Sequence, residues 1–217
     1  IYGLGSNATE NISRSNAMVK FNITAQDTDG IYPNWVSRVD MNGSSMESLT
    51  WNLWEVTVQP STLGCDSGPN TTCELVAAAT DEAGNVNQTS YNLTIDDLPP
   101  SVLHLDIDDP DNVVESSQIL NFTVNVTDIH EIISVELNGT EMVKIGNSDI
   151  YSNISRTLSY GCAGGTMNCT FYVRAIDIAG NINWTTNLTL LVDDEYPYLS
   201  NISINDSDGI VKSTDSL

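Results

Sequence analysis

Apolar and polar residues alternate with period two along most of this chain. In Asn121-Phe122-Thr123-Val124-Asn125-Val126-Thr127, the residues Phe122, Val124 and Val126 share one face, and the Asn and Thr residues share the other. Asn22-Ile23-Thr24, Asn92-Leu93-Thr94 and Asn187-Leu188-Thr189 repeat the pattern. Helical periodicity is missing, and the alternating runs are short and punctuated by Gly, Asn, Asp and Pro. That profile predicts strands joined by tight turns. One element occurs twice, as Ala79-Thr80-Asp81-Glu82-Ala83-Gly84-Asn85 and Ala175-Ile176-Asp177-Ile178-Ala179-Gly180-Asn181. Each copy lies between two alternating runs; Thr170–Arg174 leads into the later copy, and Trp184–Val192 leads out. Strand, Gly-Asn turn, strand predicts a β-hairpin, with Gly180 supplying positive φ and Asp177 bonding backbone N–H groups of its own turn.

Counting from that hairpin sets the phase of the rest. Asn11-Ile12-Ser13-Arg14-Ser15 matches Asn112-Val113-Val114-Glu115-Ser116 and Gly209-Ile210-Val211-Lys212-Ser213. Phe21–Ala25 matches Phe122–Val126, and Val39-Asp40-Met41-Asn42-Gly43 matches Val135-Glu136-Leu137-Asn138-Gly139. The first unit carries an insertion around Gly30-Ile31-Tyr32-Pro33. Asp96-Asp97-Leu98-Pro99-Pro100 and Asp193-Asp194-Glu195-Tyr196-Pro197 read as linkers. With about seven short strands per unit, the expectation is an all-β chain of tandem Ig-like β-sandwiches joined by short acidic-Pro linkers. Domain 1 is expected over 1–97 and domain 2 over 98–194. Residues 195–217 are expected to form the first strand of a third repeat, or a donor strand between subunits. Alternation at Leu199, Ile202, Ile204, Ile210-Val211 and Leu217 fits a strand that domain 2 or another copy of the chain must hold.

Four cysteines fall into two short pairs, Cys65/Cys73 and Cys162/Cys169, each just before the repeated hairpin. In a secreted chain these are disulfides, because His104 and His130 stand at no zinc-site spacing. The pairs are too close in sequence to join two sheets, so each is expected to staple a hairpin. In the loop-entropy picture such a staple contributes about 2–3 kcal/mol.

The repeated Ala-x-Asp-x-Ala-Gly-Asn motif, near the end of a sandwich of about 100 residues and followed by an acidic-Pro linker, resembles the Ig-like repeats of bacterial and archaeal cell-surface proteins. The resemblance covers nearly the whole chain as tandem units. It implies the fold, and it implies roles that such repeats serve: stalks, surface-layer segments, filament subunits and adhesins.

Sixteen Asn-x-Ser/Thr sequons are present, at Asn7, Asn11, Asn22, Asn42, Asn70, Asn87, Asn92, Asn121, Asn125, Asn138, Asn153, Asn168, Asn183, Asn187, Asn201 and Asn205. The chain has 23 Asn, and Ser plus Thr make up 44 of 217 residues, so chance placement gives roughly 5 sequons. None has Pro at the middle position, and the strand sequons fall on the polar face. The excess points to a dense N-glycan coat on both sheets, against the plainer reading of Asn and Thr as ordinary polar surface residues.

Charge is one-sided, with 7 Lys+Arg against 29 Asp+Glu and a formal net charge of −22. A nucleic-acid partner is not expected, since it requires a basic footprint. Nothing in the sequence approaches 18 consecutive apolar residues, so no membrane insertion is expected within this segment. With Ile at position 1 and no visible signal peptide, the chain reads as a mature or excised piece of something longer. Asp96, Asp97, Asp193 and Asp194 sit at the two repeat boundaries; Asp106, Asp108, Asp109 and Asp111 follow the first, and Asn205, Asp206 and Asp208 the second. Hard oxygen ligands at a joint suit Ca²⁺, although EF-hand spacing is absent and a solvated acidic linker is the simpler alternative. Asp27-Thr28-Asp29-Gly30 reads as a turn.

Catalytic signatures are missing: no nucleophile elbow, metalloprotease helix, phosphate loop or dinucleotide fingerprint occurs. Gly164-Gly165 reads as turn chemistry inside a cysteine-closed loop, His104 as a surface imidazole on a strand, and His130 as a turn residue. Trp35, Trp51 and Trp54 read as core of domain 1 rather than a carbohydrate platform, and Trp184, within a sequon beside the hairpin, as a shield for it or a glycan contact. The sequence therefore predicts a non-enzymatic, extracellular structural glycoprotein, part of a cell-surface filament, surface layer or stalk. Its expected partners are copies of itself or neighbouring repeats, and N-linked glycans. Dense sequons with few Lys/Arg suggest an archaeal surface protein. The alternatives are an adhesin or ligand-binding ectodomain using loop tips such as 28–35 or 64–72, and an enzyme accessory module.

Overall fold

The computed structural model describes residues 1–27, 36–184 and 186–200. The insertion near Gly30, Trp35, the sequons at Asn201 and Asn205, Asp206, Asp208 and most of the expected third-repeat strand lie outside these residues. Among the described residues the regular structure is all strand, apart from three short 3₁₀ turns at Thr9–Asn11, Pro60–Leu63 and Thr157–Tyr160.

Alternation buries one face of each strand, and the two buried faces of each unit close on one another. In the first sandwich one sheet takes the order Tyr2–Ser6, Val19–Thr24, Leu53–Val58, Glu47–Ser48. The facing sheet runs Ile12–Ser13, Val86–Ile95, Thr71–Asp81, Val36–Met41, Ser44–Ser45. The second sandwich repeats this order with Ser101–Ile107, Ile119–Thr127, Ile150–Arg156 and Val143–Lys144 facing Val113–Val114, Asn187–Asp193, Thr166–Asp177, Ile132–Leu137 and Thr140–Glu141. In both, the first strand divides between the sheets. Its second part pairs in parallel with the last strand, Ile12 with Thr94 and Val113 with Leu191, while the other ladders are antiparallel. This is the tandem Ig-like β-sandwich.

Each sandwich has its own core. Phe21, Ile23, Val39, Met41, Leu75, Ala77, Leu93 and Ile95 fill the first, together with Trp54. Leu120, Phe122, Val124, Val135, Leu137, Phe171, Val173, Leu190 and Val192 fill the second. Phe122, Tyr160 and Phe171 form an aromatic cluster there, with the Tyr160 and Phe171 rings edge to face at 5.4 Å. Ile119–Thr127 keeps strict alternation, with Leu120, Phe122, Val124 and Val126 buried. Two-residue strands such as Glu47–Ser48 and Val143–Lys144 end their sheets on one side, so that edge of each sheet is short. The matched turns Asn42-Gly43 and Asn138-Gly139 have positive φ at both residues, 43° and 85° in the first, 47° and 83° in the second. Only Asn and Gly hold that pair of conformations at low cost, so these turns set the register of the strands on either side.

Both disulfides are formed, Cys65–Cys73 and Cys162–Cys169. Their place corrects the expectation of a stapled hairpin. Strand Leu53–Val58 belongs to one sheet and Thr71–Asp81 to the other, so the loop closed by Cys65–Cys73 carries the chain between sheets. Cys162–Cys169 does the same between Ile150–Arg156 and Thr166–Asp177. Cys65 and Cys162 lie in the crossing itself, just past a 3₁₀ turn ending in a left-handed glycine, Gly64 or Gly161, and each bonds to the cysteine on the strand that follows, Cys73 or Cys169. All four cysteines are buried in their cores. Replacing Cys162 and Cys169 together by Ala is expected to lower unfolding free energy by about 2–3 kcal/mol, measured as a lower urea midpoint for the second sandwich.

Candidate functional site at the repeat joint

The hairpin repeat builds one end of each sandwich. Asp177 accepts hydrogen bonds from the Asn181 main-chain N–H at 2.8 Å and its Nδ2 at 2.9 Å, and Gly180 takes the left-handed φ of 86° between them. Asp81, Gly84 and Asn85 form the same turn, at 2.8 and 2.7 Å. The Asn85 side chain, followed by its N–H, holds the Asp81 carboxyl below the usual carboxylate value. In the first repeat this turn is exposed. In the second it is buried, because the C-terminal end of the first repeat lies on it: Asn181 Nδ2 also donates to the Asp96 carbonyl at 2.9 Å. Asn183 Nδ2 donates to the Pro100 carbonyl at 2.7 Å, and Thr186 to the Val102 carbonyl at 3.0 Å.

Three carboxylates meet at this joint. Asp96 comes from the end of repeat 1, Asp128 from the end of strand Ile119–Thr127, and Asp177 from the hairpin; one oxygen of each lies within 4.8 Å of the others. Asp96 and Asp177 are fully buried and Asp128 is half-buried. The Asp96 Oδ1 accepts from Leu98 N–H at 3.1 Å, whereas its Oδ2 is buried without a hydrogen-bond partner. His130 Nε2, also buried without a partner, stands 3.9 Å from that oxygen, beyond hydrogen-bond reach. The described Lys and Arg ion pairs, Lys20–Glu55, Arg38–Asp40 and Arg174–Glu136, lie elsewhere. At such separations each carboxylate pair costs about 3 kcal/mol at an effective dielectric of about 20. Burial, and after it the charges of Asp128 and Asp177, push the Asp96 carboxyl above its ordinary value, against the Leu98 N–H and His130. Burial likewise raises Asp128, with Asp177 adding to it.

The other expected boundary acids act inside their own repeats. Asp97 accepts from Ser15 N–H at 2.9 Å and Gly68 N–H at 3.3 Å, tying the first-strand crossing to the disulfide loop. Asp194 does the same in repeat 2, from Ser116 at 2.8 Å and Gly164 at 2.9 Å, and those N–H groups hold its carboxyl below the usual value. Asp193 accepts from Thr166 Oγ1 at 3.0 Å and Glu195 N–H at 3.0 Å. At the first boundary only Asp96 of the expected pair reaches the cluster, while Asp97 turns back into its own sandwich; at the second, the acids expected beside Asp193 and Asp194 lie outside the described residues. His130 reads from sequence as a turn residue, and Asp128 is marked there by phase alone: it follows strand Ile119–Thr127 as Asp27 follows the matching strand.

The remaining candidates spread over the surface. Of the sequon asparagines among the described residues, Asn121, Asn125, Asn153 and Asn183 are half-buried, the rest are exposed, and none is in a core. Asn42 and Asn138 brace neighbouring strands, each accepting at 2.7 Å from a backbone N–H, of Val76 and Tyr172. Their Nδ2 groups donate to Leu63 and Thr170 carbonyls, and Asn153 Nδ2 donates to the Glu141 carbonyl. His104 is exposed at a bulge between Leu103 and Leu105. Trp54 is core as expected, but Trp51 is 74% exposed, since it lies in the turn between the short edge strand Glu47–Ser48 and Leu53–Val58 rather than on an alternating face. Trp184 is exposed and stacks with Arg174, 5.3 Å from guanidinium to ring.

No protein family and no curated protein sequence matches the chain. Among solved structures it is similar to the fibronectin(III)-like modules of Clostridium thermocellum CbhA, at 12% identity over 92% of this chain and 99% of that one, with a TM-score of 0.47. It is also similar to a Ca²⁺-stabilized adhesin with which an Antarctic bacterium binds ice, at 19% identity, 88% of this chain and a TM-score of 0.43. A tetra-tandem repeat from the extending region of a large adhesion protein gives 19% identity, 88% coverage and a TM-score of 0.36. The chain spans about half, 48%, of each of these two adhesin structures. At such identities and TM-scores the likeness assigns no activity.

The clamp has a direct test. Asp97→Ala leaves Ser15 N–H and Gly68 N–H without their acceptor and is expected to destabilise the first sandwich by about 1–3 kcal/mol, read from its urea unfolding midpoint.

Proposed function

We propose that this chain is a non-catalytic, N-glycosylated segment of an extracellular cell-surface structure, a filament, surface layer or stalk, in which tandem sandwiches act as spacers. The observation that carries this reading is the sequon distribution. Every sequon asparagine among the described residues is exposed or half-buried, and together they cover both sheets of both sandwiches. A glycan at these positions extends into solvent without opening a core. Two disulfides support an oxidising compartment. A coat of this density keeps sheet faces soluble and leaves the repeat ends as the natural contacts, so copies of the chain or neighbouring repeats are the partners this reading requires. An archaeal source accords with the sequon density and the scarcity of Lys and Arg.

One observation favours adhesion as a second reading. Trp51, 74% exposed, and Leu49, 52% exposed, share the turn between Glu47–Ser48 and Leu53–Val58, and such paired apolar side chains suit a ligand contact.

Intact-mass measurement of natively purified material is expected to exceed the 23.6 kDa polypeptide by many glycan units; a mass at the bare polypeptide value removes the glycoprotein reading. Electron microscopy of the same material is expected to show filaments or a lattice, while dispersed particles combined with loss of ligand binding in Trp51→Ala would favour adhesion. Glycopeptide mapping is expected to find higher occupancy at Asn70, Asn87, Asn92, Asn168 and Asn187 than at Asn42, Asn138, Asn153 and Asn183, whose Nδ2 groups already donate to main-chain carbonyls.

A further inference from the structure

The Asp96, Asp128 and Asp177 cluster gathers three carboxylates where burial leaves little water to separate them, with an imidazole as the one nearby basic group. Acidic side chains crowd together often without consequence, so the cluster alone decides nothing. Its Asp96 Oδ2 decides more. That oxygen belongs to a fully buried side chain, one whose carboxylate lies within 4.8 Å of those of Asp128 and Asp177, and it has no hydrogen-bond donor. A buried carboxylate oxygen is ordinarily satisfied, because leaving it unpaired forfeits its hydration with nothing in return. The other Asp96 oxygen, the Asp96 carbonyl and both Asp177 oxygens do have donors, so among these acceptors Oδ2 alone is left open, with the unpartnered His130 Nε2 3.9 Å away and out of hydrogen-bond reach.

We propose that Asp96, Asp128 and Asp177 bind one Ca²⁺ ion that fastens repeat 1 to repeat 2. The donors are all carboxylate oxygens, which suits a hard cation, and half-buried Asp128 leaves one side open for the waters that complete a flexible shell of six to eight ligands. Mg²⁺ demands a tighter octahedron, and Zn²⁺ would have to recruit His130. Because Asp96 belongs to one sandwich and Asp128 and Asp177 to the next, the ion joins two folding units.

The site is modular. Asp27 and Asp81 occupy in repeat 1 the positions of Asp128 and Asp177 in repeat 2, and both border one cleft with Val36 and Asn85. Asp193 occupies the position of Asp96: each accepts the N–H two residues on, Leu98 and Glu195. Each repeat thus offers two carboxylates at its leading end and one at its trailing end. One complete triad, at the Asp96 joint, lies among the described residues.

The test uses the full 217-residue chain, freed of metal with EGTA and titrated with Ca²⁺ by calorimetry and by thermal melting. The expected result is one site per chain with Kd on the order of 10⁻⁴ M or tighter, and a Tm that rises with Ca²⁺. Asp128→Asn is expected to weaken binding tenfold or more, about the loss of a ligand charge, while exposed Asp106→Asn leaves it unchanged. The melting curves supply a readout that a merely structural role would not move. In EGTA, Asp128→Asn removes a like charge from the cluster and melts at or above the parent; in saturating Ca²⁺ it melts below it. Asp128→Asn melting lower by the same amount in both conditions overturns the proposal. So does Ca²⁺ binding that survives Asp128→Asn, or binding by Zn²⁺ alone that is lost in His130→Gln.

Discussion

The Asp-Asn clasp of the repeated hairpin is the interaction on which the joint depends. Asp177 consumes the main-chain N–H and one Nδ2 hydrogen of Asn181, and this leaves the second Nδ2 hydrogen pointing out of the turn to the Asp96 carbonyl. A single Asx turn therefore closes a hairpin and presents a donor to the preceding repeat. In repeat 1 the same clasp between Asp81 and Asn85 is complete but exposed. The turn is thus formed by local sequence, and its burial is added when a neighbour arrives.

A second pair of carboxylates divides the labour. Asp97 and Asp194 each bridge the crossing of the first strand and the loop closed by the disulfide, through matched N–H groups at Ser15 and Gly68 or Ser116 and Gly164. Each sandwich is locked at its trailing end by a disulfide beside a carboxylate clamp, both built within the repeat. Adjacent residues, Asp96 and Asp97, thus face opposite ways: Asp97 holds its own sandwich together and Asp96 reaches into the next. This accords with repeats that fold independently and couple only to neighbours.

Much of the fold was legible because its causes are local. Period-two alternation decides which face of Ile119–Thr127 is buried, the Asn-Gly turns decide register, and repeat phase pairs each strand of one unit with its counterpart in the other. What was misjudged turned on position across the fold. The cysteine separations of 8 and 7 residues suggest hairpin staples, yet each pair closes a connection that runs from one sheet to the other. Trp51 departs from the core placement expected of it, because an edge turn projects it into solvent.

Sequence by itself determined two alternating sandwiches, the clasped hairpins, the cysteine partners and a surface rich in sequons, since each rests on residue spacing or on side chains within one turn. Only the tertiary structure decided which carboxylates meet. Asp96, Asp128 and Asp177 are 32 and 49 residues apart along the chain, and although the hairpin motif marks Asp177 and the repeat boundary marks Asp96, no local pattern joins them to each other or to Asp128 among the chain's 29 acids. They converge because the trailing end of one sandwich packs on the leading end of the next. Burial there, rather than acidity, is what sets these three apart.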